Sequence, residues 1–421
     1  MKKIILYFLF SSLFIGCSTT KNRIKKNSQK LLNSSLYENQ FTGFLVVDSE
    51  NKDTLLNFND KKYFTPASNT KIFTLFTGLK LVSDSIPALK YIHQNDTLYI
   101  EGTGDPTLLH SYFEHNKILD FLKKYDNILI HLNNFQDEKF GPGWAWEDYQ
   151  YYFQPEKGPL PLHGNVTTIS SSSPMQVTPA YFQDSVIRIN FNRNRELQKN
   201  TFYYGLSRKD TLEVPFKTDT SLTKKLLGRL LSKDVKIVEK MPEGEKEVAY
   251  SVPVDSVYRR MMIESDNFLA EQLLLVCSST LSDTLSSSRV REYIIENELA
   301  DLKQQPRWVD GSGLSRYNLF TPESMVHVLS KMYQDIPRER LFSFFPVGGE
   351  GTLKDWYPGN PKPYLFAKTG SVGNNHNISG YLITKSGRTL IFSFMNNHFR
   401  QPSSEVKKRM EQIFEDIRDN Y

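Results

Sequence analysis

The stretch Thr65-Pro-Ala-Ser-Asn-Thr-Lys-Ile-Phe-Thr-Leu-Phe76 constrains the chain more than any other. It reads as a turn running into an amphipathic helix, with Ser68 at the start of the helix and Lys71 one turn later. Residues at i and i+3 share a helix face, so the lysine ammonium leans back over the serine hydroxyl. Just upstream, Phe41–Asp48 and Thr54–Phe58 carry strand signals on either side of a polar turn around residues 49–53, which predicts a β-hairpin feeding the helix. The expectation is therefore an α+β domain in which this helix packs on a sheet.

A serine hydroxyl becomes a useful nucleophile when a neighbour takes its proton, and a lysine serves as that base only when burial or nearby cations lower its pKa. The spacing alone says little, because Ser-x-x-Lys also occurs at Ser18/Lys21, Ser49/Lys52, Ser221/Lys224 and Ser404/Lys407. The bland reading of any one copy is a solvated helix face.

The N-terminus carries an address. Met1-Lys2-Lys3 is a basic leader, Ile4–Ile15 an apolar run too short to span a bilayer, and Gly16-Cys17 follows directly. Leu13-Phe-Ile-Gly-Cys17 resembles a bacterial lipoprotein box, with Phe14 where a smaller aliphatic is usual. The resemblance implies a signal peptide over residues 1–17, cleavage before Cys17 and acylation of that residue. Each buried methylene of such a chain adds about 0.8 kcal/mol, so the protein is expected in the periplasm as a membrane-anchored lipoprotein. Residues 18–30, polar and lysine-rich, read as a solvated tether, with a short helix over residues 28–36. With Cys17 acylated, Cys277 has no disulfide partner and reads as a small buried hydrophobe.

The net charge of +5 comes without a basic stripe interleaved with aromatics, so no nucleic-acid partner is read from it. Nor do the eight histidines show metalloprotease spacing; His110 and His115, five apart, fall off one helical face, and neither metal nor cofactor is expected. Beyond the nucleophile helix, which ends near Leu81, residues 91–253 read as an inserted, strand-rich region, with 181–230 as a nested module and 170–174 as a linker. Within it, a helix is expected over residues 109–124 and a tight turn at Gly102-x-Gly104, which lacks the further glycine and lysine of a phosphate loop. Gly141–Phe153 is a dense aromatic loop, either a core plug or a ligand rim. Long helical patterns resume at Val254, so residues 31–90 and 254–421 are expected to form one domain.

Two further segments give Ser68 company. Ser265-Asp-Asn267 lies between apolar helical runs, where the simple reading is an N-cap and the functional one a hydroxyl and an amide at a helix junction. Near the C-terminus, Tyr364-Leu-Phe-Ala-Lys368-Thr-Gly-Ser371 is a buried strand that turns polar, followed by two more strands; the second Lys-Ser-Gly, residues 385–387, reads as the hairpin turn between them.

Ser-x-x-Lys, Ser-x-Asn and Lys-Thr-Gly in that order resemble the active-site set of serine β-lactamases and penicillin-binding proteins. The long segment between the first two motifs is similar to the class C low-molecular-mass penicillin-binding proteins, the D-alanyl-D-alanine carboxypeptidase/endopeptidases, although it is shorter than usual there. Further stretches agree: Gly102–Leu108, Gly143–Asp148, Asp310–Arg316 and Phe345–Leu353. The resemblance implies a transpeptidase-type antiparallel sheet flanked by helices, peptidoglycan stem peptides as substrates, and β-lactams as covalent inhibitors. Ser68 is then the nucleophile, Lys71 its base, Ser265 a proton relay and Asn267 an orienting amide. Lys368 and Thr369 would hold the substrate's terminal carboxylate, Gly370 would let the substrate backbone approach, and the Ser68 and Ser371 N–H groups would form the oxyanion hole. Asp148, Phe153 and Arg316 would line the stem-peptide groove, with Asp148 facing an amino group; its structural alternative is a helix cap. A β-lactamase with rapid deacylation, and a catalytically silent wall-binding protein on the same scaffold, are the rival expectations.

Overall fold

The computed structural model describes residues 21–114, 116–172, 174–359 and 361–421; the leader and Cys17, with residues 18–20 of the expected tether, lie outside them, as does His115. A five-stranded antiparallel sheet anchors the first body, in the order Leu365–Val372, Asn375–Ile383, Thr389–Asn397, Phe41–Asp48, Thr54–Phe58. The two ends of the chain thus meet in one sheet. Its side chains alternate between two cores, as period 2 requires. Phe44, Val46, Leu390, Phe392 and Phe394 face the C-terminal helix Ser403–Asn420, whose Val406, Met410, Ile413, Phe414 and Ile417 form the apolar stripe of a 3.6-residue repeat. Leu45, Ile391 and Met395 face the other way, toward helices Lys71–Leu81, Asn267–Leu281 and Pro322–Asp335.

Several expectations change. Residues 21–32 are helical and not a tether: Ile24, Ser28 and Leu32, four apart, are buried against the C-terminal helix layer while the lysines stay outside. The helix Lys71–Leu81 is not amphipathic, since every residue from Lys71 to Gly78 is buried; a helix covered on all sides belongs to the core.

The middle of the chain builds a second body on a mixed sheet, ordered Val235–Ile237, Asn127–His131, Thr97–Gly102, Ser85–Gln94, Glu247–Pro253. The boundary expected at residue 90 falls inside the strand Ser85–Gln94. The segment 181–230 shares the core of this sheet through Phe182, Phe202, Tyr204, Leu222 and Leu226, so it has no separate core of its own. In place of the linker expected over residues 170–174, Ser170 closes the strand Val166–Ser170 and pairs antiparallel with Gln176 of the strand Gln176–Thr178. The helix expected over residues 109–124 spans Lys117–Lys123, and Leu109, at a left-handed φ of 58°, stands outside it. Gln272, fully buried on helix Asn267–Leu281, joins the bodies: its Nε2 donates to Gly104 O at 2.7 Å and Gly158 O at 2.9 Å, and its Oε1 accepts from Gly158 N at 3.1 Å. No helix among the described residues is long and apolar enough to cross a membrane.

Candidate active site

Ser68 sits in a single 3-10 turn, Ala67–Thr70, that runs straight into the helix begun by Lys71. Ala67 is held at φ 48°, a conformation costing a non-glycine residue about 1 kcal/mol or more. Gly313 makes this turn possible from outside, since a Cβ there would lie 1.9 Å from Ala67 O. Lys71 is completely buried, and its Nζ makes three hydrogen bonds: to Ser68 Oγ at 3.0 Å, Asn267 Oδ1 at 2.7 Å and Ser312 O at 2.8 Å. All three acceptors are neutral. Burial pulls the ammonium down to about 8, against the opposing fields of Asp310, Asp266 and Glu271.

The helix capped by Asp266, not by Ser265 or Asn267, opens at Asn267; the Asp266 carboxylate accepts from Leu269 N at 3.0 Å. That frees both flanking side chains. Asn267 spends its carbonyl on Lys71 and its Nδ2 on Phe153 O at 3.1 Å. Ser265 stands at the junction with φ 60° and lines the cleft that contains Ser68.

One helical turn along, Glu271 is buried, and its Oε1 accepts from Ser312 N at 2.7 Å, holding the residue whose own carbonyl accepts from Lys71. Burial first, then Asp310, raises the Glu271 carboxyl. Asp310 organises the rest of that loop by accepting from Gly313 N, Ser315 N, Asn318 Nδ2 and Trp144 Nε1 at 2.7–2.9 Å. Neither acidic residue stands out in the sequence by spacing. Asp310-Gly-Ser-Gly313 does carry turn chemistry, and Glu271 sits four residues after Asn267 on an otherwise apolar helix.

The strand Leu365–Val372 closes the opposite wall. A Cβ on Gly370 would lie 2.4 Å from Pro66 O, 2.8 Å from Asn69 N and 3.0 Å from Ser68 N. The glycine therefore admits the nucleophile turn itself, where an approaching substrate backbone was expected. Lys368 is fully buried and donates to Thr369 O at 2.9 Å. Burial, reinforced by Lys71, holds its ammonium well below the ordinary lysine range. Thr369 Oγ1 donates to Thr352 Oγ1 at 2.8 Å, and Ser371 Oγ lies 2.7 Å from His376 Nδ1. Burial, with Lys407 and Lys368 nearby, keeps that imidazole neutral down to about 3. Thr369, Thr352, Ser371 and His376, but not Lys368, line a cleft of about 320 Å³ together with Ser68, Ser265, Trp356, Tyr357 and Lys407.

The three expected groove residues are placed differently from one another. Phe153 touches the site through its backbone carbonyl, while its ring lies on Tyr151 at 5.7 Å between centroids. Arg316 is exposed and reaches Gly373 O at 3.4 Å, beside the end of the Lys368 strand. Asp148 lies inside the 3-10 turn Trp146–Gln150, whose N-cap is Ala145, so it caps no helix. Its carboxyl is raised by burial and by Glu147, and among the described residues it meets no hydrogen-bond or ion-pair partner. The loop that carries it is pinned on both sides, at Trp144 to Asp310 and at Phe153 to Asn267.

The profile of the D-Ala-D-Ala carboxypeptidase 3 (S13) family matches residues 25–191 and 216–417. The D-alanyl-D-alanine carboxypeptidase DacB of Haemophilus influenzae is 22% identical over 427 residues, covering 87% of this chain and 88% of its own. The crystal structure of that organism's penicillin binding protein 4 superposes with a TM-score of 0.73 at 18% identity, over 93% of this chain and 98% of the other. A second structure of it, in complex with a β-lactam, gives 0.64 at 17% identity, over 93% and 98%. A predatory peptidoglycan endopeptidase from Bdellovibrio bacteriovorus gives 0.50 at 17% identity, over 89% and 92%.

Proposed function

The chain belongs to the D-Ala-D-Ala carboxypeptidase 3 (S13) family, and we propose that it hydrolyses the D-alanyl-D-alanine peptide of peptidoglycan stems, as a penicillin-binding serine carboxypeptidase/endopeptidase, through an acyl-enzyme on Ser68. The observation that carries the assignment is the environment of Lys71 Nζ. When neutral, the amine keeps two donors on Asn267 Oδ1 and Ser312 O, which leaves its lone pair aimed at the Ser68 hydroxyl. It accepts the Ser68 proton as Oγ attacks the carbonyl between the two D-alanines. The proton then passes through Ser265 to the leaving amine, and water releases the acyl group by the reverse route. The Ser68 and Ser371 N–H groups stabilise the oxyanion; a donor of this kind contributes about 3 kcal/mol. A β-lactam enters the same reaction and stays as the acyl adduct.

Lys368 supplies no exposed charge, and its place is beside Lys71, where it keeps a second amine within the buried polar cluster. Asp148, with no hydrogen-bond or ion-pair partner among the described residues, suits an amino group on the stem peptide. Residues 1–17 support export and lipid anchoring at Cys17. Cys17→Ala should leave the protein outside the membrane fraction; undiminished partitioning would refute lipidation.

The decisive experiment is digestion of purified muropeptides by wild type and Ser68→Ala, with products read by mass. Release of free D-alanine, or of monomers from cross-linked dimers, by the wild type alone supports the proposal. Equal digestion by the Ser68→Ala protein overturns it.

A further inference from the structure

Resting on that reading of the reaction, we propose that Lys407, on the C-terminal helix, is the cation that binds the carboxylate of the substrate's leaving residue, with the Thr369 and Thr352 hydroxyls beside it. The motif spelling assigns that charge to Lys368, but the geometry does not. Lys368 is fully buried, does not line the cleft, and spends a donor on Thr369 O. Lys407 does line it, together with Ser68, Ser265, Thr352 and Thr369. It is the only lysine or arginine in that wall, and no carboxylate shares the wall with it among the described residues. Its Nζ lies 5.4 Å from the Trp356 ring centroid, and no acid among the described residues reaches ion-pair distance. The ammonium is therefore oriented by an aromatic face; Asp355 acts on it only through its field, and with no acid among the described residues in direct contact it can still take an anionic ligand.

The placement also fits the chemistry of the bond. The acyl half of the substrate attaches to Ser68, and the leaving half is assigned to the part of the same cleft lined by Thr369, Thr352 and Lys407. A D-alanine leaving group carries its carboxylate one carbon from the departing nitrogen. Arg316, the other cation near the strand end, is tied to the turn at Gly373 and does not line the cleft.

The test compares wild type, Lys407→Met and Lys407→Arg on an N-acetylated stem pentapeptide with a free C-terminal carboxylate and on its C-terminal carboxamide. Lys407→Met should lower kcat/KM at least tenfold for the carboxylate, mostly through KM, and change it less than twofold for the carboxamide. Lys407→Arg should restore most of the loss. Acylation of Ser68 by benzylpenicillin and by its methyl ester, followed by intact mass, should show the same split. An unchanged carboxylate rate in Lys407→Met, or equal losses on the charged and neutral members of each pair, overturns the assignment. Failure of the underlying reaction would show separately, as turnover that survives Ser68→Ala.

Discussion

Gly370→Ala tests whether the strand and the nucleophile turn are fitted to each other. The added Cβ would meet three main-chain atoms, Pro66 O at 2.4 Å, Asn69 N at 2.8 Å and Ser68 N at 3.0 Å, where ordinary contact begins near 3.4 Å. No side chain can swing away to relieve this, so the turn and the strand must part by about 1 Å, a displacement of the size that costs on the order of 100-fold in rate when it moves a reacting group. Overpacking of this kind destabilises the fold by about 1–3 kcal/mol. The expected result is thus a protein that still folds, with a modest fall in Tm, but is acylated by a fluorescent penicillin on the order of 100 times more slowly. Single-turnover labelling against time reads the rate, and a parallel thermal melt reads the stability. Acylation at the wild-type rate in a folded Gly370→Ala protein would refute the idea that this contact sets the position of Ser68.

Because Lys71 must be neutral to accept the Ser68 proton and its value is held at about 8, kcat/KM should rise tenfold per pH unit below that value and level off above it; a profile flat from pH 6 to 9 would remove Lys71 as the base. Gln272→Ala strips partners from Gly104 O, Gly158 O and Gly158 N, so denaturant melts should show a loss of about 3 kcal/mol, with a smaller effect indicating that water replaces the side chain. Asp148→Ala should lower kcat/KM about tenfold for a stem peptide with a free side-chain amine and leave the N-acetylated analogue unchanged; equal rates would withdraw the recognition role.

Much of this site was legible in one dimension because its parts are local. The i, i+3 spacing of Ser68 and Lys71, the polar junction at residues 265–267 and the strand ending at Ser371 each carry their geometry in neighbouring residues. What escaped is what depends on packing. Lys368 looks like a cleft charge from its motif, and only the burial of its strand shows otherwise. Gly370 looks like a concession to substrate until the turn at Pro66 occupies the space. Ile24, Ser28 and Leu32 hide a helical stripe in a lysine-rich segment, because three buried positions among many exposed ones give a weak periodic signal. Lys407 lies in a copy of Ser-x-x-Lys that reads as a solvated helix face, and the fold brings it to the cleft from the far end of the chain.

The second body leaves and rejoins the first through adjacent antiparallel strands, with Ser85 opposite Pro253 and Tyr91 opposite Glu247. A chain could in principle be shortened there to a simple turn without rethreading anything. Yet this same appendage lends the catalytic chamber a carbonyl from Phe153 and an indole from Trp144. Excision would consequently be permitted by topology and forbidden by chemistry: the trimmed enzyme could retain its scaffold while Asn267 and Asp310 each lost a donor or acceptor on which their aim depends.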